Sequence, residues 1–176
     1  MLLPPDKGGF FVQKKGKGEG NVPGRSRIFA TVVYPESAPA DWLERLDGEH
    51  VAAMVSPLHC KDTLPTGEVK KEHYHVLWRY EGVKTPAQAQ QLVDMIGGAG
   101  AVEIVADFRG YARYLCHLDS PDKAQYAPED VRCFGGADWA AVALSEAERT
   151  DAQLDEIEDW IDETGCVSYV ALCRYA

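Results

Sequence analysis

Short apolar and β-branched runs, each bounded by turn-forming residues, recur along the chain and predict four strands. They cover residues 27–34, 51–56, 72–80 and 101–106. Such runs are typical of strands because branched and aromatic side chains pack well on a pleated surface. Pro35 and Pro57 end the first two runs, since proline cannot donate a hydrogen bond to a sheet.

Helical periodicity fills most of the intervals between these strands. Apolar residues at helical spacing predict helices over residues 41–46, 86–96, 109–118, 138–144 and 151–163. Thr85 is the expected N-cap of the second helix, with Pro86 at its first position. The order β-α-β-β-α-β-α predicts an α+β fold in which helices pack on one side of an antiparallel sheet.

Composition divides the chain into three regions. Residues 1–26 are rich in glycine, proline and lysine and are predicted to form a flexible basic arm. Residues 27–132 hold the predicted strands and form the main domain. Residues 133–176 are predicted to be an acidic helical extension, and their apolar end leads us to expect that further residues follow.

The net charge of −10 argues at first against a nucleic-acid partner, which normally contacts a basic face. Its distribution changes this picture. Residues 1–118 hold 14 acidic and 14 basic residues, whereas residues 119–176 hold 14 acidic and 4 basic residues. The whole excess therefore lies in the C-terminal region, and the first 118 residues can still form an anion-binding surface.

The five cysteines are odd in number and include no Cys-x-x-Cys pair. This pattern favours reduced thiols in the cytoplasm over a disulfide framework. The sequence contains no signal-peptide core and no apolar run of the roughly 18 residues that a membrane span needs. We therefore expect a soluble cytoplasmic protein with no membrane partner.

His73 and His75 alternate with Tyr74 in the third predicted strand, so both imidazoles project from one face of the sheet. A hairpin between the second and third strands brings His59 and Asp62 toward them. An isolated His-x-His is more often a hydrogen-bonded strand pair than a metal site, but four ligand types together favour a metal. Imidazole with carboxylate suits Mn, Fe, Zn or Ni better than Mg or Ca.

The predicted helix over residues 109–118 offers two nucleophiles. Tyr111, Tyr114 and His117 fall on one of its faces. A metal polarises a phosphate oxygen, and a tyrosine hydroxyl can then attack phosphorus. On residue type alone, either tyrosine is more often a packed or hydrogen-bonded residue than a nucleophile.

Four blocks of the sequence are similar to motifs of known proteins. They read Phe-Ala-Thr-Val-Val-Tyr-Pro-Glu-Ser at 29–37, Ser-Pro-Leu-His-Cys-Lys-Asp at 56–62, Lys-Glu-His-Tyr-His-Val-Leu at 71–77 and Tyr-Leu-Cys-His at 114–117. In order and spacing they resemble the motifs of rolling-circle plasmid replication initiators, the Rep proteins of the HUH endonuclease class. The resemblance covers residues 27–132 and implies an HUH endonuclease domain with a ferredoxin-like fold, in which helices pack on an antiparallel sheet of about five strands.

The resemblance also implies the roles of the site residues. The metal ligands would be His59, Asp62, His73 and His75, with Mn or Mg as the ion and Mn favoured by the histidines. Tyr114 would attack single-stranded DNA at an origin hairpin, form a 5′-phosphotyrosine and free a 3′-hydroxyl that primes synthesis. Relatives commonly carry an aspartate where this chain has Cys60, so no role of that carboxylate carries over.

Other residues are predicted to assist. Candidate phosphate contacts are Lys61, Lys70, Lys71 and Arg113. Tyr111 is the neighbour of the nucleophile on the same helix face. His117 either orients or deprotonates Tyr114 or serves as a core or capping residue.

The predicted partners are plasmid origin DNA, host replication proteins and further copies of the chain. Two alternative functions stay open at this point. The first is a mobilisation relaxase or transposase of the same class, which would nick a different DNA. The second is a non-enzymatic, metal-stabilised DNA-binding module in which the tyrosines are packed.

Overall fold

The computed structural model describes residues 24–64, 66–166, 168, 170 and 173. Its elements are β1 (Ser26–Val33), α1 (Trp42–Gly48), β2 (Ala52–Val55), β3 (Tyr74–Lys84), α2 (Pro86–Ile96), β4 (Gly98–Ile104), α3 (Phe108–Tyr114), β5 (Arg132–Phe134), α4 (Trp139–Ala143) and α5 (Glu146–Thr164). A 3₁₀ turn, Pro128–Asp130, precedes β5. Of the basic arm predicted for residues 1–26, residues 1–23 lie outside the described residues.

The five strands form one sheet in the order β4-β1-β3-β2-β5, and neighbouring strands are antiparallel. The first six elements follow the order β-α-β-β-α-β, which is the ferredoxin-like arrangement. The predicted α+β class and five-stranded antiparallel sheet are confirmed.

Helices cover both faces of this sheet. Val76 and Trp78 of β3 belong to one apolar cluster together with α1 and α2. Leu77, between them, belongs to a second cluster with α3 and α4. The prediction that helices pack on one side is therefore wrong. A strand buried on both faces reads as a nearly continuous apolar run, and β3 has that character from Tyr74 to Trp78.

Helix α2 begins and ends where the sequence predicts. Thr85 caps it with a capping box that includes Gln88, and Gly97 ends it in the left-handed conformation at φ 73°. Gly98 then opens β4, which starts before the predicted residue 101. A Cβ at Gly98 would lie 2.6 Å from Val93 Cγ1, so the glycine lets β4 run close to α2.

The sheet and its second cluster continue past residue 132, where the predicted main domain ends. β5 pairs with β2, and Trp139 of α4 donates a 2.8 Å hydrogen bond to Ala112 O in α3. Helix α5 begins before the predicted residue 151, because Ser145 and Glu148 form a second capping box. Among the described residues, no helix has the length and apolar character that crossing a membrane would require.

Candidate active site

The candidate site lies at the start of β3, on the sheet face that α3 and α4 cover. His73 and His75 are 7% and 8% exposed, and their ring centroids are 5.0 Å apart. Tyr74, between them, packs on Trp42 with ring centroids 5.4 Å apart and belongs to the first cluster. Alternation along the strand thus directs both imidazoles to one face and the tyrosine to the other.

A second backbone segment brings His59 beside these two histidines. Pro57 has no N–H with which to continue the β2–β3 ladder. The Ser56 hydroxyl accepts the His75 N–H at 2.9 Å and donates to Pro57 O at 2.8 Å. His59 and His73 then exchange backbone hydrogen bonds of 2.9 and 3.3 Å, and their ring centroids lie 5.3 Å apart.

Three imidazoles in or beside this site each use one ring nitrogen to bind a backbone carbonyl. The pairs are His59 Nε2 with Leu115 O at 2.9 Å, His73 Nδ1 with Lys71 O at 2.8 Å, and His117 Nδ1 with Ala124 O at 2.8 Å. A carbonyl oxygen only accepts, so these nitrogens carry the proton and the opposite nitrogens keep a lone pair. The tertiary fold therefore fixes the tautomer of each ring.

Several of the remaining nitrogens are buried without a protein partner. In the described part of the chain, His59 Nδ1, His75 Nε2 and His117 Nε2 form no hydrogen bond. Ligand atoms of His59, His73 and His75 lie within 4.8 Å of one another, and so do those of His59, Asp62 and His117. A metal-ligating histidine usually has its other N–H held in this way by a carbonyl or carboxylate. The residues present thus fit a divalent cation, and His59 belongs to both groups.

The charges of the site also suit a cation. Burial lowers the pKa of His73 and lowers that of His75 well below its ordinary value, so both rings are neutral at neutral pH. Burial alone would raise the pKa of Asp62, but the nearby His59 ring, whose Nδ1 lies 3.5 Å from Asp62 Oδ2, and the hydrogen bond from Tyr126 outweigh it and hold the pKa well below the usual range. The site therefore combines neutral imidazoles with an ionised carboxylate.

Tyr126, which is not among the predicted site residues, supports the Asp62 carboxylate. Its hydroxyl donates to Asp62 Oδ1 at 2.9 Å and accepts the Lys61 backbone N–H at 3.0 Å. Its ring stacks on His59, with centroids 4.2 Å apart and an angle of 6° between the planes. Burial raises the pKa of Tyr126, which keeps the hydroxyl protonated and able to donate.

Helix α3 places both candidate nucleophiles next to the histidines. The ring of Tyr114 meets His75 edge-on at 5.2 Å and lies 5.0 Å from His117. The Tyr111 hydroxyl lies 3.5 Å from His75 Nδ1, and burial raises the pKa of Tyr111 far above its ordinary value. Close to Tyr114, the ammonium of Lys123 lies 3.4 Å from the phenolic oxygen.

The predicted phosphate contacts differ in solvent exposure and in whether they already pair with other groups of the protein. Lys61 and Lys71 are exposed and Lys70 is half-buried. Lys71 forms an ion pair with Glu36 and lies over the ring of Tyr34, 4.7 Å from its centroid. All three lysines flank the segments that carry His59 and His73.

Arg113 is engaged within the protein. Its guanidinium binds Asp119 through 2.8 to 3.0 Å hydrogen bonds, and it also donates to Ala143 O at 2.9 Å and Glu148 Oε1 at 3.0 Å. The hydrogen bonds with Asp119 lead the causes that raise the pKa of Arg113. Because its donors are occupied, Arg113 fastens α5 to α3 and offers little to a DNA phosphate.

Comparison with known proteins assigns the chain to a family. Residues 22–140 match the family described as plasmid replication protein, origin binding domain. The chain belongs to this family. It is similar to a replication protein of Staphylococcus aureus, with 38% identity over 152 residues, covering 86% of this chain and 76% of the relative. It is also similar to the replication protein RepB of Lactiplantibacillus plantarum, with 40% identity over 132 residues, covering 74% of this chain and 59% of that relative.

The family match confirms the expectation drawn from the four sequence blocks. The chain contains the origin-binding domain of a plasmid replication initiator. The matched residues include β1 to β5 and every site residue described above, whereas α5 lies beyond them. A 28% identical RepB of Streptococcus agalactiae matches over 166 residues, covering 80% of this chain.

Two residues of the site have no local signal in the sequence. Tyr126 lies 64 positions from Asp62 in the chain, and Lys123 follows α3 in a loop without recognisable periodicity. His117 is different, because the Tyr-Leu-Cys-His block contains it and its spacing from Tyr114 already predicts proximity. The structure adds that His117 lies between Tyr114 and His59, with ring centroids 4.6 Å from His59.

Proposed function

We propose that this origin-binding domain is a metal-dependent endonuclease and strand transferase that nicks one strand of plasmid origin DNA to start rolling-circle replication. The observation that supports it most is the position of Tyr114. Its ring lies 5.2 Å from that of His75, whose Nε2 is buried without a protein partner. A nucleophile and a cation-binding set on one surface are what phosphodiester cleavage through a covalent intermediate requires.

Tyr114 is the proposed nucleophile. Its phenolic oxygen forms a bond to the phosphorus of the scissile phosphodiester, and the bond from phosphorus to the 3′ oxygen breaks. The phenolic proton passes to solvent, and the 3′ oxygen takes up a proton from solvent. The products are a 5′-phosphotyrosine and a 3′-hydroxyl, which serves as the primer, and the reverse reaction rejoins a strand.

The proposed metal ligands are His59, Asp62, His73 and His75. A bound Mn or Mg ion supplies Lewis-acid polarisation of a phosphate oxygen, and the histidines favour Mn. The protein contributes the preorganisation. Backbone carbonyls hold the His59 and His73 rings with their lone pairs free, and Tyr126 holds the carboxylate, so these side chains are oriented before an ion binds.

The DNA contacts follow from the same placement. Lys61, Lys70 and Lys71 border the segments that carry the histidines and are proposed to bind phosphates next to the cleaved bond. The proposed substrate is the single-stranded nick site of an origin hairpin in the cytoplasm. Host replication proteins and further copies of the chain are the proposed partners.

A pool of single-stranded oligonucleotides with a randomised centre tests the function on many candidate nick sites at once. The full chain is incubated with the pool and Mn, and covalent adducts are isolated under denaturing conditions and sequenced. We expect adducts from the wild type and from Tyr111→Phe, and none from Tyr114→Phe. Tyr111→Phe is the matched control because it removes a hydroxyl from the same helix face.

Each other outcome selects an alternative. Adducts that persist in Tyr114→Phe would show that another residue is the nucleophile. A wild type that binds DNA but never forms an adduct would favour the non-enzymatic module. A cleaved sequence found in mobilisation or transposon-end DNA, and not in a replication origin, would favour a relaxase or transposase of the same class.

A further inference from the structure

Lys123 lies against the proposed nucleophile. Its Nζ is 3.4 Å from Tyr114 Oη and 4.6 Å from the centroid of the Tyr114 ring. The ammonium thus contacts both the π face and the oxygen of the tyrosine. The contact with the oxygen distinguishes it from an ordinary cation–π pair, in which a ring only attracts a nearby cation.

The loop that carries Lys123 is fastened on both sides of this residue. The Lys123 N–H donates to Ser120 O at 2.9 Å, and the Gln125 amide donates to Lys123 O at 3.1 Å. Next to it, Ala124 O accepts the His117 ring N–H at 2.8 Å. The backbone at Lys123 is therefore held by the segment that follows α3, and only the side chain must be ordered at the site.

Lys123 also keeps its positive charge uncompensated. Lys71 pairs with Glu36, and Arg113 pairs with Asp119 and Glu148. In the parts of the chain that the structure describes, no ion pair joins Lys123 to a carboxylate. Its charge is available to an anion that approaches Tyr114.

We propose that Lys123 is a catalytic residue of strand cleavage, which binds a non-bridging oxygen of the scissile phosphate and stabilises the transition state of attack by Tyr114. This inference rests on the proposed function. As the bond from Tyr114 to phosphorus forms and the bond to the 3′ oxygen breaks, negative charge builds up on the phosphate oxygens. A cation in contact with the attacking oxygen is adjacent to that charge, and a fixed charge at this place costs no reorganisation during the reaction.

Single-turnover adduct formation measures this role. The substrate is the sequence most enriched among wild-type adducts, and the rate is followed against DNA concentration with Mn for the wild type, Lys123→Met and Lys123→Arg. We expect the maximal rate of Lys123→Met to fall roughly 10- to 100-fold, with little change in the half-saturating DNA concentration. Lys123→Arg keeps the charge and should retain most of the rate.

Rejoining of the cleaved strand gives a second readout. Loss of a residue that stabilises the shared transition state slows cleavage and rejoining equally, so the equilibrium fraction of adduct should stay constant in Lys123→Met. Lys84→Met is the matched control, because Lys84 lies 5.6 Å from the Tyr80 ring centroid at the far end of β3. It should react at the wild-type rate.

The outcomes separate this inference from the function on which it rests. A wild type without adducts would remove the proposed function and Lys123 with it. A wild type that reacts, together with a Lys123→Met variant of unchanged maximal rate, would overturn the role of Lys123 alone. A raised half-saturating concentration at full maximal rate would also overturn it, since Lys123 would then be an ordinary ground-state DNA contact.

Discussion

Removal of the Tyr126 hydroxyl is a sharp test of how the site is built. In Tyr126→Phe the ring remains stacked on His59 at 4.2 Å, so the substitution changes little besides the two hydrogen bonds of the oxygen. Asp62 then loses the 2.9 Å donor to its Oδ1, and the Lys61 N–H loses its 3.0 Å acceptor. Because Asp62 is only 8% exposed, water replaces the lost donor poorly.

The magnitude follows from these two contacts. A hydrogen bond to a charged group contributes about 1.5–3 kcal/mol, and an unpaired backbone N–H adds to the loss. We expect the free energy of unfolding of the metal-free protein to fall by about 2–3 kcal/mol, which corresponds to roughly 5–10 °C in melting temperature for a chain of this size. Loss of a group that orients a ligand commonly weakens metal binding about 10- to 100-fold, and we expect the lower end for Mn.

Urea unfolding with a chelator and calorimetric titration with Mn measure the two effects. Tyr74→Phe is the matched control, because it lies between His73 and His75 but packs on Trp42 on the opposite face. The control should bind Mn like the wild type. If Tyr126→Phe matched the wild type in both stability and Mn affinity, Asp62 would not depend on its hydrogen bond and the proposed support of the carboxylate would be refuted.

Three further predictions concern the cap, the charges and the metal. Thr85→Ala should lower the free energy of unfolding by about 1 kcal/mol, because the Thr85 hydroxyl caps α2 at 3.2 Å; Thr66→Ala is the surface control, and equal losses in urea unfolding would contradict the capping role. The hydrogen bonds that Glu148 accepts at the start of α5 lower its pKa from 4.5 to about 2, so its contribution to stability is present above about pH 4.5 and is lost as the pH falls toward about 2. Glu148→Gln should therefore flatten the acid loss of stability in urea titrations, and a pH curve parallel to that of the wild type would be evidence against it. Mn at about 100 times its Kd should raise the free energy of unfolding by about 2.7 kcal/mol, and a rise that persisted in His75→Gln would show that this histidine is not a ligand.

Local signals in the sequence predict those parts of the fold that local physics determines. The cap at Thr85, Pro86 at the first helical position and the glycines after Ile96 define α2 without reference to the rest of the chain. The alternation around Tyr74 likewise predicts which side chains of β3 share a face. These features depend only on residues that are neighbours in the chain, so they can be predicted directly from the sequence.

The second helical layer and the support of the site depend on contacts that no local pattern encodes. Trp139 reaches Ala112 across 27 positions, and Tyr126 reaches Asp62 across 64. The three-residue strand β5 is too short to show a period, and Lys123 acquires its place only because the loop after α3 folds back on His117. Sequence analysis therefore finds the proposed ligands and the proposed nucleophile more readily than the residues that hold them.

Strand pairing gives the site a property that no single ligand has. If β3 slid by one position against Ser56 and His59, the two imidazoles would enter the apolar cluster, and Tyr74 and Val76 would take their places. There is no halfway arrangement in which one imidazole stays. If these imidazoles bind the cation as proposed, Mn uptake would report correct pairing of β3, and the fraction of a purified preparation that takes up Mn would give the fraction of molecules whose sheet has formed properly.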